Sequence, residues 1–389
     1  MRGAAFFLFF LFFLSFFYLL HRVIYKQIVS GFALSSRGRL LLFLFFLLSA
    51  TLYPLTTFLA RWFELYPLHY WGALWIGIVG AAFPLFLLAR LGSSLRPSLL
   101  RGATATALGV TLLLVCWGLW NASGAPRLTG LTLSIRDLPP QAEGLKILQL
   151  SDVHLGSMTR ESWLKRLVKR VESRKPDLVV ITGDLVDGDI CSVTGFCGIL
   201  RTLRPPLGVI AVPGNHEYYA NYGYFREVGD KAGVKILVNE KIDLIKGGLQ
   251  IVGLDDTEGR RTPSGGPDPV KAYKTVDPRR PVLLLSHRPK PLPSAYRVDL
   301  QLAGHTHGGQ TFPMNLLVPL AFKQWKGLYR SGSGWLYTSM GTGFWGPPLR
   351  IFSQSEVVEI VLRRAKEGRG TLHEELLDWN APSLSSPSR

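Results

Sequence analysis

The sequence predicts an α/β domain preceded by a membrane region of about four helices. Hydrophobic residues make up 47% of the 389 residues and charged residues only 18%. The charge is unevenly distributed, because the chain up to Gly124 has nine Lys and Arg residues and a single acid, Glu64, between long apolar runs. The remaining two thirds has an ordinary soluble composition, with strand-like runs alternating with helical segments. This division excludes a single soluble domain.

The predicted boundaries follow the changes in composition. The membrane region covers residues 1–123, and a short linker occupies residues 124–128. The α/β domain covers residues 129–365, and residues 366–389 are predicted to form a C-terminal tail with a polar, disordered end.

Four apolar windows approach the roughly 20 residues that a transmembrane helix needs. Trp and Tyr cluster at the window ends, as they do at membrane interfaces. The first window lacks a clear small-x-small cleavage site before His21, so we interpret it as a retained helix and not as a cleaved signal peptide. The four windows are Ala4–Leu20, Leu40–Leu59, Tyr70–Ala89 and Ala103–Trp120.

The connecting loops predict the orientation. The first loop, residues 21–39, has four basic residues, and the third, residues 90–102, has three. The second loop has only Arg61, together with Glu64. The positive-inside rule places the first and third loops in the cytoplasm. Four spans return the chain to its starting side, so we expect a multi-pass protein of the cell (inner) membrane with its α/β domain on the extracytoplasmic face.

The α/β domain shows apolar runs typical of a mostly buried sheet, separated by helical segments such as the amphipathic Glu161–Ser173. The predicted strands are Leu131–Arg136, Lys146–Ser151, Asp177–Thr182, Gly208–Val212, Val234–Val238, Leu249–Leu254, Val282–Ser286 and Leu300–Ala303, and the further predicted helices are Gly195–Leu203 and Tyr224–Ala232.

Five short polar or glycine-containing segments directly follow strand-like runs. Loops at the carboxyl ends of strands are where open α/β sheets form their sites. The chemistry-bearing residues of these segments are Asp152 and His154, then Asp184 and Asp187, then Asn215, His216 and Glu217, then His287 and Arg288, and finally His305, His307 and Gln310.

Carboxylate oxygens and imidazole nitrogens are ligands that suit Mn²⁺, Fe²⁺ or Zn²⁺. The D-x-H spacing of Asp152 and His154 puts both side chains on one face of an extended segment, and the same holds for His305 and His307. Each segment alone is also compatible with an ordinary turn. All five in order favour a centre of two metal ions about 3.5–4 Å apart, which clamps the oxygens of a phosphoryl transfer.

The motifs DVHLG, GDLVDG, GNHEYY, SHRP and GHTHGGQ, with GTGFWGPPLRIF at residues 341–352, resemble the calcineurin-like metallophosphoesterase superfamily. The finer resemblance is to its membrane-associated bacterial branch of YkuE- and YaeI-like phosphodiesterases. The resemblance covers about Leu145–Leu362 and does not include the N-terminal helices. It implies a four-layer α/β/β/α sandwich with two mixed sheets.

The resemblance also implies the roles of individual residues. A water that bridges two divalent ions (Mn, Fe or Zn) would be the nucleophile, and His216 would be the catalytic residue that stabilises the phosphoryl charge or protonates the leaving oxygen. Asp187 is expected to support the site, and Arg288 to meet phosphate oxygens or lie on the solvated surface. The implied metal ligands are Asp152, His154 and His307 for the first ion, Asn215, His287 and His305 for the second, and Asp184 for both.

A membrane tether favours a lipid-linked phosphoester as substrate, so we expect a membrane-anchored phosphodiesterase or pyrophosphatase. The apolar segment Met314–Trp325 follows the last ligands closely. It is expected to line an acyl groove, to enter the membrane interface or to pack in the core. We favour the core for Leu316–Leu320.

Three alternatives remain open at this point. A hydrolase of UDP-2,3-diacylglucosamine-type pyrophosphates in lipid A assembly has a cytoplasmic substrate, which conflicts with the predicted orientation. A general phosphatase would use the membrane only as a tether. A sensor or transport protein with a regulatory domain is less compatible with helices that lack charged residues centrally. The sequence of the α/β domain shows no basic stripe with stacking aromatics, so no nucleic-acid partner is predicted. The oligomeric state is open.

Overall fold

A computed structural model describes residues 2–59, 65–187, 194–245, 248–365 and 371–380. The chain divides into two compact units. The first comprises Met1–Ser123, Thr311–Met314 and Gly346–Phe352. The second comprises Gly124–Gln310, Asn315–Trp345 and Ser353–Arg389. Arg61 and Glu64, whose charges were used to predict the orientation, lie outside the described residues.

The first unit contains four long helices, α1 (Arg2–Gly31), α2 (Ser36–Leu59), α3 (Tyr66–Leu95) and α4 (Leu100–Ser123). Three segments of the described chain are long and apolar enough to cross a membrane, namely Ser36–Thr57, Tyr66–Leu95 and Pro97–Ser123. Because the side chains of residues 2–14 lie outside the described set, the count of four spans stays a prediction.

The segment Gly346–Phe352 packs within this first unit against two of its helices. A Cβ atom on Gly77 would collide with Leu349, and one on Gly118 would collide with Ile351. The backbone N–H of Arg350 donates to the carbonyl of Gly118 at 3.0 Å. Small residues on α3 and α4 therefore allow this segment to approach the helix backbones closely.

The second unit is built from alternating strands and helices. Its helices are α5 (Glu161–Ser173), α6 (Thr194–Leu200), α7 (Asn215–Ala220), α8 (Tyr222–Ala232), α9 (Pro269–Tyr273) and α10 (Met314–Ala321). Its strands are β1 (Arg127–Ile135), β2 (Lys146–Leu150), β3 (Leu178–Thr182), β4 (Val209–Val212), β5 (Val234–Ile236), β6 (Glu240–Asp243), β7 (Gln250–Gly253), β8 (Val282–Leu285), β9 (Leu300–Ala303), β10 (Gly327–Ser331), β11 (Gly334–Thr338), β12 (Glu356–Arg364) and β13 (Leu372–Leu377).

The strands form two mixed sheets. The seven-stranded sheet has the order β13-β1-β12-β2-β3-β4-β5, and the six-stranded sheet has the order β10-β11-β9-β8-β7-β6. Strands β2, β3 and β4 are mutually parallel, as are β7, β8 and β9. This agrees with the predicted α/β class, and each parallel block gathers the carboxyl ends of its strands at one edge.

Apolar burial holds the second unit together. One core cluster combines residues of both sheets, among them Ile147 and Val180 of the first and Ile251 and Leu302 of the second. Another combines β2–β4 with α5, α6 and α8. Helix α5 contributes Leu164, Leu167, Val168 and Val171, whose spacing of three and four residues forms one apolar face.

Three sequence predictions differ from the structure. Leu316–Leu320 was predicted to pack in the core, but no residue of α10 is buried; apolar composition alone does not distinguish a core segment from an exposed apolar surface. The predicted tail contains β13, an edge strand whose mostly exposed side chains gave no alternating pattern. The predicted linker is shorter, because β1 already begins at Arg127.

Candidate metal centre

The predicted site residues all follow parallel strands. Asp152 and His154 come after β2, and Asp184 and Asp187 come after β3. The remaining residues follow β4 of the seven-stranded sheet and strands β8 and β9 of the six-stranded sheet. They are Asn215 and His216 after β4, His287 and Arg288 after β8, and His305 and His307 after β9.

A first cluster joins Asp152, His154 and His307, which are all buried. The Nε2 atoms of the two histidines lie 3.1 Å apart. Nε2 of His307 lies 3.4 Å from Oδ1 of Asp152. The other carboxylate oxygen of Asp152 accepts a hydrogen bond from Ser151 Oγ at 2.5 Å, which fixes its orientation.

A second cluster joins Asp184, His287 and His305. Nε2 of His287 lies 3.1 Å from Oδ1 of Asn215 and 3.1 Å from Nδ1 of His305. Nδ1 of His287 lies 3.0 Å from the carbonyl of Thr182. Because a carbonyl only accepts, Nδ1 is protonated, and in the neutral imidazole the lone pair on Nε2 faces the cluster.

Asp184 faces both clusters. Its Oδ2 lies 3.2 Å from Nε2 of His287 and 3.8 Å from Nε2 of His154. Its Oδ1 accepts a hydrogen bond from the backbone N–H of His216 at 2.9 Å. A Cβ atom on Gly214 would collide with this carboxylate, so glycine is required there for the close approach.

His216 belongs to neither of these two clusters and pairs with Asp187. Its Nδ1 lies 2.9 Å from Oδ1 of Asp187. Its ring contacts those of His154, Tyr219 and Trp345, with centroids 4.7, 5.3 and 5.4 Å away. Asp184 therefore faces the clustered histidines, whereas Asp187 orients His216 and also lies 3.8 Å from Nδ1 of His154 through its other carboxylate oxygen.

The pKa values of the two central carboxyls, Asp152 and Asp184, shift in opposite directions. Burial, together with the negative charge of Asp184, raises the pKa of Asp152 to about 6. Burial opposes ionisation of Asp184 as well, but the charge and hydrogen bond of His287 prevail and hold its pKa well below its usual value. Asp184 is thus the carboxylate that stays ionised in the protein.

The pKa values of the histidines also differ, because their surroundings differ. Burial opposes protonation of His287, but Asp184 prevails and raises its pKa to about 10. Burial lowers the pKa of His154 to about 4. Burial, with the charges of His287 and Arg288, lowers the pKa of His305 to about 2. Burial opposes protonation of His216, but the hydrogen bond that its ring donates to the Asp187 carboxylate prevails and raises the pKa of His216.

The backbone at the clustered residues corrects one sequence argument. The D-x-H and H-x-H spacings were interpreted on an extended backbone, in which alternate side chains share a face. The structure instead has positive φ angles at these positions, which non-glycine residues seldom adopt. The values are 52° at Asp152, 50° at His154, 52° at Asp184, 73° at His305 and 51° at His307.

Glu217 is a structural residue that the sequence indicated only weakly. Its buried carboxylate accepts backbone N–H bonds from Asp184 at 2.9 Å, Val186 at 3.0 Å and Gly214 at 2.6 Å. Burial, with the charge of Asp184, raises the pKa of Glu217 to about 7. One side chain thereby connects the segment after β3 to the segment after β4.

Asp256 was missed in the sequence. It forms an ion pair with Arg288, whose Nε lies 2.8 Å from Asp256 Oδ2. Nη1 of Arg288 lies 3.0 Å from Nε2 of His305. Arg288 thus lies beside the second cluster. The signal was available, because the pair Asp255-Asp256 follows β7 in the same setting as the other site segments.

The donor chemistry of both clusters fits divalent metal ions. In each cluster one ligand atom from every member lies within 4.8 Å of the others. Two imidazole nitrogens 3.1 Å apart can share only one proton, whereas a cation accepts a lone pair from both. The ligands are nitrogen and oxygen atoms, which suit Mn²⁺, Fe²⁺ or Zn²⁺.

Comparison with known proteins gives a consistent picture. A family model described as calcineurin-like phosphoesterase matches residues 145–309. "Transmembrane protein with metallophosphoesterase domain" of Danio rerio is 36% identical over 276 residues, covering 67% of this chain and 63% of the relative. "Uncharacterized metallophosphoesterase" of Aquifex aeolicus is 38% identical over 237 residues, covering 60% and 90%.

"Uncharacterized metallophosphoesterase YkuE" of Bacillus subtilis is 30% identical over 239 residues, covering 58% of this chain and 82% of the relative. The resemblance to calcineurin-like metallophosphoesterases, YkuE among them, is thereby confirmed. The chain spans about three fifths of the length of the first curated relatives that it matches.

Proposed function

Because the chain belongs to the calcineurin-like metallophosphoesterase family, we propose that it is a membrane-anchored two-metal phosphoesterase that hydrolyses a phosphodiester or pyrophosphate bond of a lipid-linked substrate. The observation that carries this proposal is the position of Asp184. Its carboxylate faces His154 of one cluster and His287 of the other, which suits a ligand shared by two cations.

The ligand assignment follows the two clusters. We assign Asp184 to both ions, and the bound pair would lower the pKa of a water and neutralise phosphate charge. The first ion is assigned to Asp152, His154 and His307, and the second to Asn215, His287 and His305.

The chain's own residues supply the other steps. Asp187 orients His216 and stabilises its protonated form, so His216 is suited to donate a proton to the leaving oxygen. Asp256 holds Arg288 beside the second cluster, where its guanidinium adds positive charge that favours a phosphate group. Glu217 holds the segments after β3 and β4 together, because its carboxylate accepts backbone N–H bonds from both.

The membrane helices support a lipid-linked substrate. Helix α4 ends at Ser123 and β1 begins at Arg127, so only three residues separate a membrane-crossing candidate from the phosphoesterase unit. We retain the extracytoplasmic orientation as part of the proposal. A core cluster shared by the two sheets, with helices on the other face of the seven-stranded one, also supports the proposed α/β/β/α layering.

The test is hydrolysis by the full chain purified in detergent with Mn²⁺, comparing bis-p-nitrophenyl phosphate with the monoester. We expect cleavage of the diester, its loss in Asp184→Asn, and its retention in the control Asp230→Asn, which changes an exposed acid in α8. Undiminished diester cleavage by Asp184→Asn contradicts the shared ligand. Preference for the monoester favours the general phosphatase.

A further inference from the structure

Helix α10 carries an exposed apolar surface. Leu316, Leu317 and Leu320 are 63%, 50% and 84% exposed, and none of the eight residues of this helix is buried. Side chains of this size normally leave water on folding, so a cluster of them on one short helix marks an interaction surface.

The segment after α10 is cationic and aromatic. Lys323 and Lys326 are exposed, and Nζ of Lys326 lies 4.2 Å from the ring centroid of Trp325. The sequence has no Asp or Glu between Asp299 and Glu356. Leucines followed by Trp and Lys without neighbouring acids are the composition of a helix that lies in a membrane interface.

This surface is attached directly to the metal-centre loop. The ring of Phe322 lies 5.3 Å from that of His305. The hydroxyl of Thr306 donates to the carbonyl of Trp325 at 2.5 Å. At the N-terminal end of the helix, Gly309 packs against the backbone of Asn315. A ligand of α10 therefore contacts an element that is fixed to the GHTHGG segment.

We propose that α10 and the segment Phe322–Lys326, together called the α10 surface, bind the surface of a bilayer that contains anionic phospholipid. The leucines enter the acyl boundary, and the two lysines meet phosphate headgroups. A bilayer is favoured over a second copy of the chain because the surface presents cations without acids, and because the chain itself includes membrane-crossing candidates. The benefit for catalysis rests on the proposed lipid-linked substrate, whereas the binding does not.

The experiment reports the depth of α10 in lipid. The three cysteines of the full chain are replaced by alanine, and Leu320→Cys is introduced. The new cysteine is labelled with an environment-sensitive nitrobenzoxadiazole fluorophore. The labelled protein is placed in nanodiscs of phosphatidylglycerol and phosphatidylcholine. We expect a blue-shifted emission that nitroxide-labelled lipid quenches. The control is Val270→Cys on α9, which is 74% exposed and lies outside the α10 surface; its label should stay unquenched.

A second variant tests the electrostatic part. Lys323→Gln with Lys326→Gln should lower the inserted-to-exposed ratio of the Leu320 label by about fivefold for each lysine, and nanodiscs of phosphatidylcholine alone should do the same. A label at position 320 or 316 that stays in water in all nanodiscs overturns the proposal. A shielded label that lipid nitroxide does not quench also overturns it, in favour of a protein partner. Neither readout requires turnover, so failure of the proposed hydrolysis is recognised separately.

Discussion

Replacement of Glu217 by Gln tests whether one buried carboxylate organises the metal centre. Glu217 is fully buried, and its two oxygens accept three backbone N–H bonds. One oxygen serves Asp184 and Gly214, and the other serves Val186. Gln has a single acceptor oxygen, so its amide N–H₂ must face at least one backbone N–H that has lost its acceptor.

The expected cost follows from this count. A buried donor without a partner costs about 1–3 kcal/mol, so we expect the variant to lose about 2 kcal/mol of unfolding free energy. For a domain of this size that corresponds to a fall in Tm of roughly 4–8 °C. Because the freed N–H groups belong to the segments that carry Asp184 and Asn215, Mn²⁺ affinity should fall about 10–100-fold.

The assay measures Tm and Mn²⁺ affinity on the full chain in detergent, by fluorescence-detected melting and calorimetric titration. The matched control is Glu240→Gln, which removes an exposed carboxylate from β6. An unchanged Mn²⁺ affinity in Glu217→Gln, at any Tm, refutes the claim that Glu217 positions the ligands. Equal losses in both variants assign the effect to net charge.

Three further predictions concern turnover, pH and topology. His216→Ala should retain both metals and lose at least about 100-fold in turnover, which is the scale of proton-transfer contributions. Metal analysis and diester hydrolysis measure the two quantities. Near-normal turnover rules out His216 as the proton donor. Burial raises the pKa of Glu356 above 4.5, so its contribution to stability is present below the unfolded pKa and is lost as the pH rises through the folded pKa. The Tm of the wild type minus that of Glu356→Gln should therefore fall with rising pH, and a rise contradicts it. A reporter fused after Arg389 should be active outside the cytoplasm, and a cytoplasmic signal reverses the topology and makes the UDP-linked lipid accessible.

The strands that carry the site could be predicted because they are short and mostly apolar. Runs such as Leu178–Thr182 and Leu300–Ala303 are buried at every position. Their polar successors then converge because the strands are parallel. The convergence of histidines and acids was therefore accessible from the order of the segments alone.

Strand β12 was not predicted, although it lies between β1 and β2 in the seven-stranded sheet. Its sequence begins with Glu356 and includes Glu359, and a hydrophobicity pattern does not predict buried acids. Tertiary partners compensate for them, since Glu359 pairs with Arg174 at 2.8 Å and Glu356 accepts a hydrogen bond from Thr129 at 3.1 Å. Such partners are distant in sequence, so local patterns cannot indicate them.

The positive φ angles of the clustered residues have a consequence for the engineering of this protein. A left-handed backbone costs a non-glycine residue about 1–2 kcal/mol, and five residues of the centre adopt it. Glycine at Asp152 or His307 would relieve that cost and would remove a side chain of the centre. A library selected only for heat resistance should therefore accumulate substitutions at these five positions, so thermostability screens of this fold need a simultaneous selection for hydrolysis.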